Sequence, residues 1–194
     1  RPPVRPALPP VRLVAWGGRR VADDWRASIE SIRNAERAAT GGEGITRLAV
    51  ERLHRLTAIK DEWEVARLHA DPAFAARLAE TFEDVGEIRT VLAPPFLARI
   101  DPATGRPRKV SFGPWIRPLL GGMARLRGVR GTWLDPFGHT AERREERALR
   151  DLYRADVAAM AARLASGRGE AEAIAAFLDW PREVRGYGPI KDAA

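Results

Sequence analysis

The sequence has no cysteine, and of its 33 basic side chains only Lys60, Lys109 and Lys191 are lysines. Without thiols the chain forms no disulfide, holds no iron–sulfur cluster through thiolates and runs no thiol chemistry, so any redox role it has is indirect. Scarce lysine beside abundant arginine, alanine, glycine and proline reads as the bias of a GC-rich genome, which discounts the net charge of +7 as functional evidence. The charges also alternate in sign, as in Glu142-Arg143-Arg144-Glu145-Glu146-Arg147, the pattern of a solvated helix face laced with ion pairs. With no fold signature for nucleic acid, that interleaving argues against a DNA or RNA partner. No apolar run approaches the roughly 20 residues of a membrane span, and the proline-studded stretch Arg1 to Pro10 lacks the apolar core of a signal peptide. A soluble, cytoplasmic protein without membrane contact is expected. Because the chain starts at Arg1 rather than Met, it is expected to be a processed product or a piece cut from a longer protein.

At 194 residues, with 45% hydrophobic and 30% charged, the chain can bury one ordinary core. Proline fixes φ and biases its predecessor away from helix, so 1–20 reads as an extended arm or linker, with Val11 to Trp16 as a short strand ended by Gly17-Gly18. A single accessory-sized domain, 21–194, follows. Trp25, Ile29 and Ile32, with Ala35 and Glu36 alongside, put one apolar stripe on a helix from Val21 to Thr40. Ile45, Leu48, Ala49, Leu53, Leu56, Trp63 and Ala66 recur at helical steps and predict one long helix from Ile45 to Ala70. Asp71-Pro72 gives a cap and a first-turn proline for another helix to about Phe82. Ile88 to Leu92 and Lys109 to Phe112 read as a β-hairpin around a Gly- and Pro-rich loop. Further helices are expected over Trp115 to Leu126, from Thr140 to Leu164 with Leu149, Leu152, Tyr153, Val157, Met160 and Leu164 inward, and over Glu170 to Leu178. The fold class is α+β, mainly helical, with a small antiparallel sheet or hairpin.

Three stretches are richer in chemistry than their surroundings. In the first, Lys60-Asp61-Glu62-Trp63-Glu64-Val65-Ala66-Arg67-Leu68, the seven-residue spacing from Leu53 puts Lys60 on the apolar side of the long helix, with Glu64 one turn on as its nearest partner. Lys60 either snorkels its stem over the core or makes a structural ion pair or an anion contact. The second, Arg106-Pro107-Arg108-Lys109-Val110-Ser111-Phe112-Gly113-Pro114-Trp115, is a basic strand edge beside two aromatics. It could receive an anion or simply discourage edge aggregation. The third runs Leu134-Asp135-Pro136-Phe137-Gly138-His139-Thr140-Ala141-Glu142-Arg143-Arg144. Its histidine has no nucleophile or second base to work with. His54, His69 and His139 show no metal-ligand spacing, and the chain carries neither a P-loop nor a G-x-G-x-x-G after a strand.

These stretches carry a resemblance. Together with Leu92-Ala93-Pro94-Pro95, Asp101-Pro102-Ala103-Thr104-Gly105 and the tail Arg185-Gly186-Tyr187-Gly188-Pro189-Ile190-Lys191, in that order, they resemble the C-terminal accessory domain of fused indolepyruvate ferredoxin oxidoreductases, from about Trp25 to Lys191. The sequence departs from the family pattern at Trp63 and His139, where tyrosine is usual, and at Tyr187 and Pro189, where phenylalanine and histidine are usual. The resemblance implies a parent protein that oxidatively decarboxylates arylpyruvates to acyl-CoA with thiamine diphosphate and iron–sulfur clusters, both held by upstream modules. No cofactor is expected in this chain, which is expected not to be catalytic alone. Its partners would be those catalytic modules, with ferredoxin or CoA nearby. Lys60, Asp61, Glu62, Glu64, Arg67, Arg106, Arg108, Lys109, Gly113, Trp115, Asp135, Phe137, Gly138, Glu142, Arg143, Arg144, Arg185, Gly186, Gly188 and Lys191 are then candidate motif or interface residues. The alternative is a free-standing regulatory or scaffolding helical module that binds a protein partner.

Overall fold

A computed structural model describes residues 9–83, 86–93, 101–102 and 108–184. Of the described residues 71% are helical, and they form seven α-helices and one two-stranded antiparallel sheet, the α+β, mainly helical class expected. It divides into two compact units, 1–59 with 139–194 and 60–138, where the sequence reads as one domain.

The first unit is built from helices of both chain halves. Helix α1 (Pro9–Thr40) replaces the expected arm and strand over 9–20: Leu13 and Trp16 are buried on a helical face, and the Trp16 indole donates to the Ile59 carbonyl at 2.8 Å. Apolar residues in a short run cannot by themselves distinguish a strand from a helix, and burial decided for helix here. Gly18 does not end the helix but kinks it, at φ 86° and ψ 178°, a conformation essentially reserved for glycine. Beyond the kink, Trp25, Ile29 and Ile32 face inward as the periodicity predicts. Against α1 pack α2 (Gly44–Thr57) and α6 (Ala141–Ala165), and α7 (Ala171–Leu178) closes on α2 and α6. Tyr153 at the centre is fully buried and donates its hydroxyl to the Leu178 carbonyl at 3.0 Å. Burial raises its ionisation above the ordinary phenol range. Leu152, expected inward, is 54% exposed, because it sits next to Tyr153 and off the stripe that reaches Val157 and Leu164.

The second unit holds α3 (Glu62–Ala70), α4 (Pro72–Thr81), the strands β1 (Thr90–Leu92) and β2 (Val110–Phe112), and α5 (Ile116–Arg125), which continues into a 3-10 turn over Leu126–Val129. In the hairpin Thr90 pairs with Phe112, Val91 with Ser111 and Leu92 with Val110. α3 packs on α5, burying Ala66, Ile116 and Leu120, with Leu92, Phe112 and Met123 half-buried around them. The long helix expected from Ile45 to Ala70 is therefore two helices. α2 closes with the Ala58 amide on the His54 carbonyl, and α3 starts afresh because the Asp61 side chain accepts from the Glu64 amide at 2.8 Å. α4 follows the sequence expectation: Asp71 caps it and Pro72 opens it, yet it buries none of its residues.

Candidate functional site

The first chemistry-rich stretch and the Leu134–Gly138 part of the third meet inside the second unit. Asp61, 4% exposed, both caps α3 and forms a two-pronged ion pair with Arg130, whose Nε lies 2.6 Å from Oδ2 and Nη2 2.8 Å from Oδ1. Asp135, 3% exposed, gathers the loop 130–138: its Oδ2 accepts from the Gly131 amide at 2.7 Å, and its Oδ1 from the Trp63 indole at 3.0 Å and the Phe137 amide at 3.1 Å. Burial pushes the Asp135 carboxyl up, but the bonds from Gly131, Trp63, Phe137 and Gly138 outweigh it and hold the group below its ordinary value. A Cβ on Gly138 would lie 2.7 Å from the Asp135 carboxylate, so glycine is required where the loop closes. The Trp63 and Phe137 rings meet edge to face at 5.3 Å, fixing Phe137 over the start of α3.

These supports frame a half-open pocket of about 330 Å³. Lys60, Asp61, Glu62 and Val65 line it from the α3 side, Leu92 and Phe112 from the hairpin, and Trp115, Leu119, Leu120 and Met123 from α5 and its approach, with Phe137 completing the wall. Phe112 and Trp115 are themselves set edge to face at 5.7 Å, and Gly113 lies close beside the Trp115 ring. Among the described residues the lining is almost wholly apolar and includes no serine, histidine or pair of opposed carboxylates, an arrangement that suits binding rather than bond-making. Among the described residues no group of three or more His, Cys, Asp or Glu is arranged to hold a metal ion.

Lys60, Asp61, Glu62, Trp115 and Phe137 are thus brought together, with Asp135, Gly138 and Gly113 in support. Two expectations for Lys60 are corrected. It lies on the non-helical link ahead of α3 rather than on a helix face, exposed, and Glu64 pairs not with it but with Arg67, through two contacts of 2.8 Å. Arg108 and Lys109 stay outside the pocket: Arg108 is exposed and 3.9 Å from Asp101, and Lys109 shares the strand face of Ser111 and Val91, opposite Phe112. Glu142, Arg143 and Arg144 belong to the first unit, at the start of α6. There Thr140 caps the Arg143 amide, Arg143 reaches buried Glu146 at 2.5 Å, and Arg144 donates to the His139 carbonyl. Arg106, Arg185, Gly186, Gly188 and Lys191 lie outside the described residues. Sequence reasoning missed Arg130 and the α5 face of Leu119, Leu120 and Met123. Arg130 sits in a loop without periodicity, whereas the spacing from Ile116 to Leu120 and Met123 was readable.

One family model, described as a family of unknown function, DUF6537, matches residues 10–194. The chain belongs to that family. No curated protein and no solved structure matches it. The matched span takes in every described residue but Pro9, so it covers the pocket, the whole 60–138 unit and the first unit from residue 10 onward. Among the described residues no helix is long and apolar enough to cross a membrane.

Proposed function

We propose that this chain is the non-catalytic C-terminal accessory domain of an indolepyruvate-type 2-oxoacid:ferredoxin oxidoreductase, a cytoplasmic enzyme that converts arylpyruvates to acyl-CoA. The observation that carries the reading is the convergence of Lys60 to Glu62, Trp115 and Phe137, from three separated stretches of the resemblance, on one pocket whose described lining is mostly apolar. In this reading the thiamine diphosphate and iron–sulfur clusters belong to the upstream modules. A cluster held by thiolates does not fit this chain, which has no cysteine. The domain packs on those modules and shapes the approach of CoA or ferredoxin, and the exposed basic pair Arg108 and Lys109 supplies a surface for an anionic partner. Reversing both charges in the parent enzyme is expected to raise the KM for CoA or for ferredoxin severalfold with kcat little changed. Steady-state kinetics with each varied in turn would show it, and unchanged KM values for both would contradict this role.

A further inference from the structure

We infer that the pocket of the 60–138 unit binds a small apolar monoanion, a carboxylate carried on an aliphatic chain or a single ring, with Lys60 as its counter-charge. At about 330 Å³ the space is at the small end for ligand pockets. It suits a chain of several carbons or one ring, and not a protein helix. Its walls ask for an apolar body. Leu120 and Ile116 form a buried floor, while Trp115 and Leu119 stand 65% and 55% exposed at the rim, apolar surface that an occupant would remove from water.

The charges at the rim select the sign. Both Asp61 oxygens are taken, by Arg130 and by the Glu64 amide, and Glu62 also has a partner within the protein, so neither carboxylate stands alone at the rim. Lys60 lines the same pocket, is exposed, and forms no ion pair with any described residue. Its ammonium, beside partnered carboxylates and apolar walls, can meet one negative charge on an occupant. A phosphate or polyanion calls for several amides or guanidinium forks, and no arginine is among the described lining residues. The inference rests on this pocket alone and stands or falls independently of the oxidoreductase reading.

The test is calorimetric titration of the 194-residue chain with three probes of one chain length, octanoate, 1-octanol and octylamine, below their aggregation concentrations. Octanoate is expected to bind saturably at one site, about fivefold tighter than octanol, as an exposed or half-exposed ion pair provides, with octylamine weakest. Lys60→Met keeps an apolar stem and removes the charge, so it should bring octanoate down to the octanol affinity and leave octanol unchanged. Leu119→Trp, at an exposed position, should fill the space and weaken octanoate and octanol alike, with an unaltered urea midpoint confirming the fold. Equal affinities for octanoate and octanol in the unmodified chain, a preference that survives Lys60→Met, octanoate binding untouched by Leu119→Trp, or no saturable binding would each overturn the inference.

Discussion

Glu36 caps a helix that begins several residues after it. Its Oε1 accepts from the Ile45 amide at 2.8 Å and its Oε2 from the amide and hydroxyl of Thr46 at 2.7 Å each, while Glu43, at the formal cap position of α2, makes no such bond. Removing it leaves buried donors without an acceptor, so Glu36→Ala is expected to lower stability by about 2–3 kcal/mol in urea unfolding. A change within about 0.5 kcal/mol, the scale of an ordinary surface substitution, would show the cap to be dispensable. Burial pushes Glu36 up, but its bonds from Thr46, Ile45 and Gly44 outweigh that and leave it below 4.5, as Asp135 is left below 3.8. The folded state thus binds fewer protons, so the stability these carboxylates contribute is complete above those ordinary values and is lost as pH falls through the lowered ones. His54 and His69 are depressed from 6.5, by burial first and then by the charges of Arg12 and Lys60 respectively. Their contribution is present above about 6.5 and fades as pH drops below it. Urea midpoints measured from pH 8 to pH 2 should therefore fall in two stages. Asp135→Asn should flatten the lower one and His54→Leu part of the upper one; a profile unchanged by either would contradict the assignment.

Among the elements, the kink in α1 and the start of α3 bear the sharpest tests. Gly18→Ala forces a Cβ into a glycine-only conformation and is expected to cost about 1–3 kcal/mol. At α3, Asp61→Ala and Arg130→Ala should each cost about 3 kcal/mol or more, since each strands a buried charge. The double variant should cost clearly less than their sum, and strict additivity would mean the two side chains do not interact. α4 has a cap and a first-turn proline but no buried residue, so its amides should exchange with solvent faster than those of central α6. Helices α4 to α7 and the hairpin were legible because each carries its own local signal, such as Asp71-Pro72 or the cap at Thr140. The break after Thr57 was missed because the apolar spacing continues through it. Asp61 with Glu64 three residues later is the start signal that could have revealed it. In α1, the prolines ahead of Val11 and the glycine pair suggested an arm and a strand, although proline is also at home in a first helical turn.

At the scale of the molecule, the first unit draws α1 and α2 from one end of the chain and α6 and α7 from the other. Local patterns carry no information about that pairing, which is why the sequence reads as a single domain. The chain enters the second unit at Lys60 and leaves it at Gly138, both within the stretches singled out for their chemistry. Much of the site's outline was legible there, since Lys60, Asp61, Trp115, Asp135 and Phe137 were candidates before their contacts were known. Their roles were not legible, because Asp61 and Asp135 act through a loop arginine and through backbone amides that only the folded chain assembles. The central claim is that this domain serves an oxidoreductase without performing chemistry itself. The direct measurement is indolepyruvate- and CoA-dependent ferredoxin reduction by the parent enzyme lacking the domain, with and without the separate chain added back. The account predicts low turnover that the added chain restores. Full turnover without the domain, in an enzyme that remains stable, would contradict it.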